Sequence, residues 1–544
     1  MSSLQQIILE RAASTPDKRY LVQAMEGRQR EWTWGQALSE ARAMALALEG
    51  MGLEPGDRVA LISRNCAHWI LADMAMILSG LVSVPIYPTA NAATIRAILE
   101  HSEASLCFVG KIEDPPERQL AGIPDSVRTI AFPYPGAAGD HAWDDLVAAN
   151  GGEHQLRPRR EEDLATLLYT SGSTGEPKGA MHSHYNFNWV GQTIAEAMGV
   201  RPDDRVFSYL PLSHCTERAY VEAVSFHAGT SLFFAASIET FQADLLAAQP
   251  TLFGSVPRLW KKFQLGVLAK VPQKKLDRLL AIPILSGFIR RKIKRGLGLD
   301  QARWFGSGSA PIAVSLLEWW DRLGVPIREG WGMTETFAYG TQIGTEPAPR
   351  FGTISRALPG AELKIGDDQE LLIRCPCLMS GYYKAEALNE EVFIDGFFRT
   401  GDRAFIDEDG WVRITGRTKE LFKTTKGKYI APVPIESLLA RNAHIELACV
   451  VGSGLPQPLA FVQLAETASS DRDRLSAELA ATLQSLNTEL EPHQRLSQLI
   501  VTAETWEVDN GLLTPTLKLK RDALEARFGR LIGTSSQAVL FEDA

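Results

Sequence analysis

An α/β fold in two unequal parts is what this chain of 544 residues predicts: a large N-terminal unit of layered sheets and helices, residues 1–417, and a small α+β unit, 418–544. Three observations predict it. Residues 31–110 alternate helix-like stretches ("TWGQALSEARAMALALEGMG", "HWILADMAMILSGL") with short β-like runs ("RVALIS", "SVPIY", "SLCFVG"), the order of parallel α/β layers. A similar alternation resumes from about 203 to 340. Around 403–416, "RAFIDEDGWVRITG" reads as two β-like runs about an Asp-Gly turn, and the basic segment "RTKELFKTTKGKY" that follows marks the boundary between the units. Beyond it, β-like "LACVVGS", "LAFVQL" and "LSQLIVT" are interleaved with helical "RDRLSAELAATLQSLNTEL" and "KRDALEARFGRLI".

Composition narrows the function classes. Hydrophobic residues at 45% and charged residues at 22% give an ordinary globular balance, and the net charge of −9 argues against nucleic acid as a partner. Six cysteines, at 66, 107, 215, 375, 377 and 449, show neither disulfide-rich nor zinc-ligand spacing, so they read as reduced thiols of a cytoplasmic protein. The N-terminal "MSSLQQIILERAASTPDKRY" reads as an amphipathic helix rather than an export signal. No window supplies the roughly 20 apolar residues of a membrane-spanning helix.

The stretch "LLYTSGSTGEPKG", 167–179, has the makings of a phosphate cradle. Gly172, Gly175 and Gly179 let the backbone approach an anion, Ser171, Ser173 and Thr174 supply hydroxyl donors, and Lys178 supplies charge. A Walker loop requires G-x-x-x-x-G-K-[ST] feeding a helix. Here Lys178 follows Pro177 and precedes Gly179, and "GAMHSH" reads as too short and turn-rich to begin that helix, although one is expected near His184. Taken alone, the segment is equally a flexible Gly/Ser hairpin turn.

Six further motifs follow in order: "LPLSHCTER" at 210–218, "GSGSAPI" at 306–312, "GWGMTE" at 330–335, "FFRTGD" at 397–402, "GRTKE" at 416–420 and "LTPTLKLKR" at 513–521. With "YTSGSTGEPKG" they resemble the adenylate-forming superfamily of acyl-CoA synthetases, adenylation domains and luciferases, over nearly the whole chain. That resemblance implies binding of ATP, with Thr170, Ser171, Gly172, Ser173, Thr174, Gly175 and Lys178 around the phosphates. It places Ser309, Ala310 and Pro311 beside the adenine, Trp331 and Gly332 at the nucleotide, and Thr334 on a phosphate. It makes Glu335 the ligand of magnesium and Asp402 the acceptor of both ribose hydroxyl protons. The residue types suit those tasks: an indole can stack on a purine, and a carboxylate offers hard oxygens. The family commonly has Tyr where this chain has Trp331, which keeps a ring and removes a hydroxyl.

The same resemblance puts Arg417 near ribose and phosphate and makes Lys419 the hinge of a mobile C-terminal domain. Lys518 becomes the lysine that reaches the α-phosphate and carboxylate during adenylation, with Lys520 as the alternative assignment. Many relatives have Gly before that lysine; here it is Leu517, in the version associated with long-chain acyl-CoA synthetases. His214, followed by Glu217 and Arg218, gives the H-x-x-E-R pattern of that group and is assigned positioning rather than proton transfer. "TTKGKYIAPVPIE", 424–436, resembles the loop that approaches CoA, with Gly427 and Lys428 beside it. The implied reaction joins a medium- to long-chain fatty acid to CoA through an acyl-AMP. Loading of a separate carrier protein and a non-catalytic nucleotide-binding scaffold are the alternatives.

Residues 279–295, "LLAIPILSGFIRRKIKR", join an apolar run to a basic cluster. Peripheral contact with the inner face of a membrane is one reading and a core-packed helix with a solvated basic end is the other.

Overall fold

The computed structural model describes residues 3–25, 28–112, 116–152, 154–171, 177–341, 344, 349–465, 468–469, 471–514 and 518–542. The expected alternation is present. Helix Trp34–Gly50 leads into strand Arg58–Ile62, helices Ala67–Ser79 and Ala92–Ser102 precede strands Val82–Ile86 and Leu106–Val109, and the first strand pairs in parallel with the other two. Ala67–Ser79 is mostly apolar and buried along its whole length, with its buried polar side chains His68 and Asp73 paired to Tyr134 and Arg218. The N-terminal helix Leu4–Ser14 starts at a Ser3–Gln6 capping box and buries Leu4, Ile8 and Ala12, one stripe at four-residue spacing.

Two seven-stranded sheets carry the large unit. In one the order is His141–Ala142, Arg128–Ala131, Leu106–Val109, Arg58–Ile62, Val82–Ile86, Leu164–Ser171, Pro177–Ser183. In the other it is Arg328–Glu329, Trp304–Ser307, Leu252–Ser255, Arg205–Ser208, Ser231–Phe234, Arg19–Met25, Arg28–Thr33. Each is parallel except for one antiparallel pair at an edge. A third, antiparallel sheet comprises Glu362–Ile365, Glu370–Arg374, Phe393–Ile394, Phe397–Ile406 and Val412–Arg417. Its last two strands form the hairpin read from 403–416, closed where Asp407 accepts hydrogen bonds from the Asp409 and Trp411 amides.

"GAMHSH" is not turn-rich: it lies within strand Pro177–Ser183, antiparallel to Leu164–Ser171. Tyr169 packs so closely over Gly179 that a Cβ there would stand 3.1 Å from its ring, while Ala180, His182 and Ser183 turn inward. Burial against a distant partner strand overrides local turn propensity. Helix His184–Ala197 then begins as expected, capped by the Ser183 hydroxyl on the Asn186 amide. The Ser/Gly stretch therefore joins two strands, and a Walker loop's strand-to-helix geometry is absent.

From Ile445 onward a four-stranded sheet, Ile445–Val451, Leu459–Leu464, Leu499–Val501 and Val539–Phe541, is flanked by helices Pro432–Leu439, Arg472–Glu489 and Arg521–Phe528. Alternate residues of its first strand feed opposite cores: Ala448 and Val450 meet Ile435, Leu479 and Leu483, whereas Cys449 and Val451 meet Trp506, Leu524 and Phe528. This is the α+β content that the sequence predicted. All six cysteines are buried free thiols. No described helix is long and apolar enough to cross a membrane.

Candidate active site

Two neighbouring parallel strands deliver two of the motifs side by side. Ser307 pairs with Glu329, and the Gly330 amide donates to the Ser307 carbonyl at 3.0 Å, so "GSGSAPI" and "GWGMTE" leave the same sheet edge together. Ser309 adopts a left-handed backbone (φ 66°) in the first loop. In the second, a Cβ on Gly332 would stand 2.3 Å from the Ala338 carbonyl oxygen, so only glycine fits. Ser309, Ala310, Pro311, Trp331, Gly332, Thr334 and Glu335 line one cavity of about 4550 Å³ with Thr170, Lys178, His214, Asp402, Arg417 and Lys518.

Contacts across the cavity fix several of these groups. The Trp331 indole donates to Asp402 Oδ2 at 2.8 Å, and Arg417 Nε lies 2.9 Å from Asp402 Oδ1. Asp402 thus spends one lone pair of each oxygen on protein donors and keeps one of each for a ligand. The neighbouring Asp402 charge raises the pKa of Arg417. Thr334 and Glu335 occupy a single 3₁₀ turn. Buried His182 donates to the Thr334 carbonyl at 2.7 Å, the Thr334 hydroxyl points at Cys215 Sγ (3.6 Å), and the Tyr382 hydroxyl holds Glu335 Oε1 at 2.6 Å. Sequence reasoning did not single out His182, Cys215 or Tyr382 as site residues; the local signals were His182 within eight residues of the Ser/Gly stretch and Cys215 next to His214 in "LPLSHCTER".

His214 caps a short helix, its Nδ1 accepting from the Thr216 amide at 3.2 Å. Burial, and then the charge of Lys518, lower its pKa to about 4. A neutral ring with Nδ1 occupied as an acceptor can orient a substrate but is a poor base.

Lys518 stands far along the chain in sequence, yet it shares the cavity and feels Arg417, Cys215, Asp402 and Glu335. Desolvation by the surrounding walls, and then Arg417, lower its pKa. The Lys518 amide donates to Thr514 Oγ1 (3.0 Å), and Arg521 at the start of the following helix bridges Glu436 (2.5 Å) and Glu420 (3.6 Å). Arg521, which closes the motif at 513–521, therefore ties helix Arg521–Phe528 to helix Pro432–Leu439 through Glu436.

Residues 8–383 match the family model of the AMP-binding enzyme, and residues 420–537 match that of the AMP-binding enzyme C-terminal domain. This chain belongs to the AMP-binding enzyme family. Among its relatives is the long-chain-fatty-acid–CoA ligase FadD15 of Mycobacterium bovis, 30% identical, with 96% of this chain and 95% of that protein covered. Fatty acyl-CoA synthetase A of Dictyostelium discoideum is 29% identical, with 94% and 86% covered. The fold is shared with an anthranilate CoA ligase in complex with anthranoyl-AMP (TM-score 0.81, 21% identity, 97% and 98% covered). It is shared too with the A-PCP didomain of a carboxylic acid reductase from Segniliparus rugosus in complex with AMP (TM-score 0.81, 22% identity, 97% and 81% covered).

Within this AMP-binding enzyme, the remaining expected residues fall in three places. Gly172, Ser173, Thr174, Gly175 and the Ser171 side chain lie outside the described residues, between Thr170 and Lys178, which pair across the hairpin at the cavity wall. Lys419 is on the 3₁₀ turn Thr418–Glu420, directly after the third sheet ends. Gly427 (φ 74°) and Lys428 sit on the exposed turn between strands Phe422–Lys423 and Tyr429–Ile430, away from the cavity that holds Lys518.

Proposed function

We propose that this AMP-binding enzyme activates a medium- to long-chain fatty acid. The carboxylate attacks the α-phosphorus of ATP, giving acyl-AMP and pyrophosphate, and the thiol of CoA then displaces AMP to give acyl-CoA. The observation that carries this reading is the meeting of Lys518, from the C-terminal part, with Asp402, Arg417, Trp331 and the Thr334–Glu335 turn in one cavity. Both reactants of the first step are anions, so preorganised positive charge and donors are what the barrier requires. Lys178 and Lys518 supply charge from two sides, Thr334 a hydroxyl, Asp402 and Arg417 a ribose clamp, and His214 a neutral donor that orients the carboxylate. Ser309, Ala310 and Pro311 form the adenine wall.

Glu335 suits magnesium: it is a hard carboxylate facing the cavity with Oε1 fixed by Tyr382. Among the described residues no three-ligand cluster could cage a metal, which fits an ion held by one carboxylate, water and substrate phosphates. Bound there, it would neutralise polyphosphate charge. In this reading residues 418–544 form a domain that turns about Lys419, withdrawing Lys518 and bringing Gly427 and Lys428 to the cavity for CoA.

A panel of carboxylic acids from short to long chain, with ATP, magnesium and CoA, tests the reading. AMP and thioester are expected from medium and long acids, and silence across all fatty acids refutes it. One structural neighbour is an A-PCP didomain, so a phosphopantetheinylated carrier protein belongs beside CoA as acceptor. Thioester on the carrier alone would favour that second reading.

The Trp331 bond to Asp402 carries its own expectation. Trp331→Phe keeps an aromatic face for the purine and removes the donor, a charge-assisted hydrogen bond worth about 1.5–3 kcal/mol. The KM for ATP should rise roughly tenfold or more, with kcat less affected, in a pyrophosphate-release assay.

A further inference from the structure

Helix Pro283–Leu297 contains no buried residue. Of the ten large hydrophobic side chains that stay exposed among the described residues, four fall in seven consecutive positions here: Ile282, Ile284, Leu285 and Phe288. Ile284 is 90% and Phe288 64% exposed. The core-packed alternative for 279–295 is thereby excluded for this face. Ile284, Phe288, Arg291 and Arg295 follow one line at i, i+4, i+7 and i+11, apolar at its start and basic at its end. Between 273 and 297 the sequence holds eight lysines and arginines against the single Asp277, a local charge of +7 in a chain of net charge −9. Among the described residues, only Arg295 of the five basic side chains on this helix has a carboxylate partner, Asp300 at 3.5 Å. The opposite face, Ile289, Ile293 and Leu297, packs towards the core and lines the cavity.

We propose that the exposed end of helix Pro283–Leu297 docks on an anionic lipid bilayer. Ile284 and Phe288 enter the boundary between headgroups and acyl chains, and Arg291 and Arg295 contact anionic headgroups. Apolar anchors followed by basic residues are the two signals that stable peripheral binding needs together. The charge complementarity also selects the occupant, because a neutral or basic partner surface would leave the +7 uncompensated. The purpose of docking rests on the fatty-acid reading: the helix that meets the bilayer also walls the cavity, so a partitioned acid is delivered beside the site.

Flotation of the full chain with phosphatidylcholine vesicles containing about one third phosphatidylglycerol tests the docking. The unaltered protein should float, and vesicles of phosphatidylcholine alone should bind it far less. Ile284→Asp with Phe288→Asp, and separately Arg291→Gln with Arg295→Gln, should each lower the bound fraction about tenfold or more. Circular dichroism and ATP–pyrophosphate exchange with a water-soluble medium-chain acid, in the absence of vesicles, should be unchanged in both variants. Equal flotation of variants and parent, or no flotation of the parent, overturns the proposal. So does a dimer that the Ile284→Asp/Phe288→Asp variant dissociates, since the face would then cover a second copy of this chain. Binding to vesicles without turnover of any fatty acid would refute the substrate reading and leave the docking standing.

Discussion

Lys518→Ala is expected to lower acid-dependent ATP–pyrophosphate exchange by about 10²–10³-fold, the loss that follows removal of one preorganised donor from a developing anion. Transfer from preformed acyl-AMP to CoA should stay near the parent rate. The split is informative because an unfolded or misassembled variant would lose both half-reactions. Lys518 faces the cavity with Asp402, Glu335 and Arg417 nearby, and no step of thioester formation calls for its charge there. Lys520, which precedes helix Arg521–Phe528, provides the control: Lys520→Ala should retain exchange within a few-fold. Equal loss in both half-reactions by Lys518→Ala, or a larger loss of exchange by Lys520→Ala, would move the assignment away from Lys518.

What the sequence made legible here was local. The strands Arg58–Ile62, Val82–Ile86 and Leu459–Leu464, the helix Arg472–Glu489 and the 403–416 hairpin follow from periodicity and turn chemistry carried by adjacent residues. The strand Pro177–Ser183 did not, because its conformation is set by a partner strand and by Tyr169 lying over Gly179. Most of the third sheet was equally silent, since antiparallel pairs such as Glu362 with Arg374 and Leu372 with Arg399 are chosen by register rather than by composition.

The site shows the same division. Motif residues Trp331, Thr334, Glu335, Asp402 and Arg417 were readable, but not what holds them. Trp331 and Asp402 are 71 positions apart, His182 and the Thr334 carbonyl 152, and Tyr382 and Glu335 47. None of these pairings leaves a trace in spacing. Helix Pro283–Leu297 illustrates a further limit, because one sequence of apolar and basic residues serves a packed face and an exposed one, and only packing says which.

Arg218→Met is expected to destabilise the large unit by about 3–5 kcal/mol, the cost of leaving a buried charge without its partner. Arg218 was read with His214 and Glu217 as a marker of acyl-chain class, yet its guanidinium is 1% exposed and sits 2.5 Å from Asp73, 3.4 Å from Glu222 and 3.1 Å from the Ser83 hydroxyl. Desolvation alone would lower the pKa of Arg218, but Asp73 and Glu222 more than offset it and keep the group charged. Burial in turn pushes the Glu222 carboxyl well up, so the cluster is built around one cation and its nearest carboxylate. Glu217 is also buried, its Oε1 taken by Ser208, Asn65 and the Tyr209 amide, and burial raises its pKa to about 8. Both residues are buried outside the cavity lining, on the short helix and the π-helical segment that follow His214, so they brace the turn that presents it. A fall of several degrees in the thermal midpoint of Arg218→Met is the readout. Adding Asp73→Asn removes the stranded carboxylate and should recover roughly half of the loss or more, since replacing both partners of a buried pair costs far less than removing one. No recovery would mean that Arg218 acts through packing against Phe187, 5.3 Å from its guanidinium, rather than through charge.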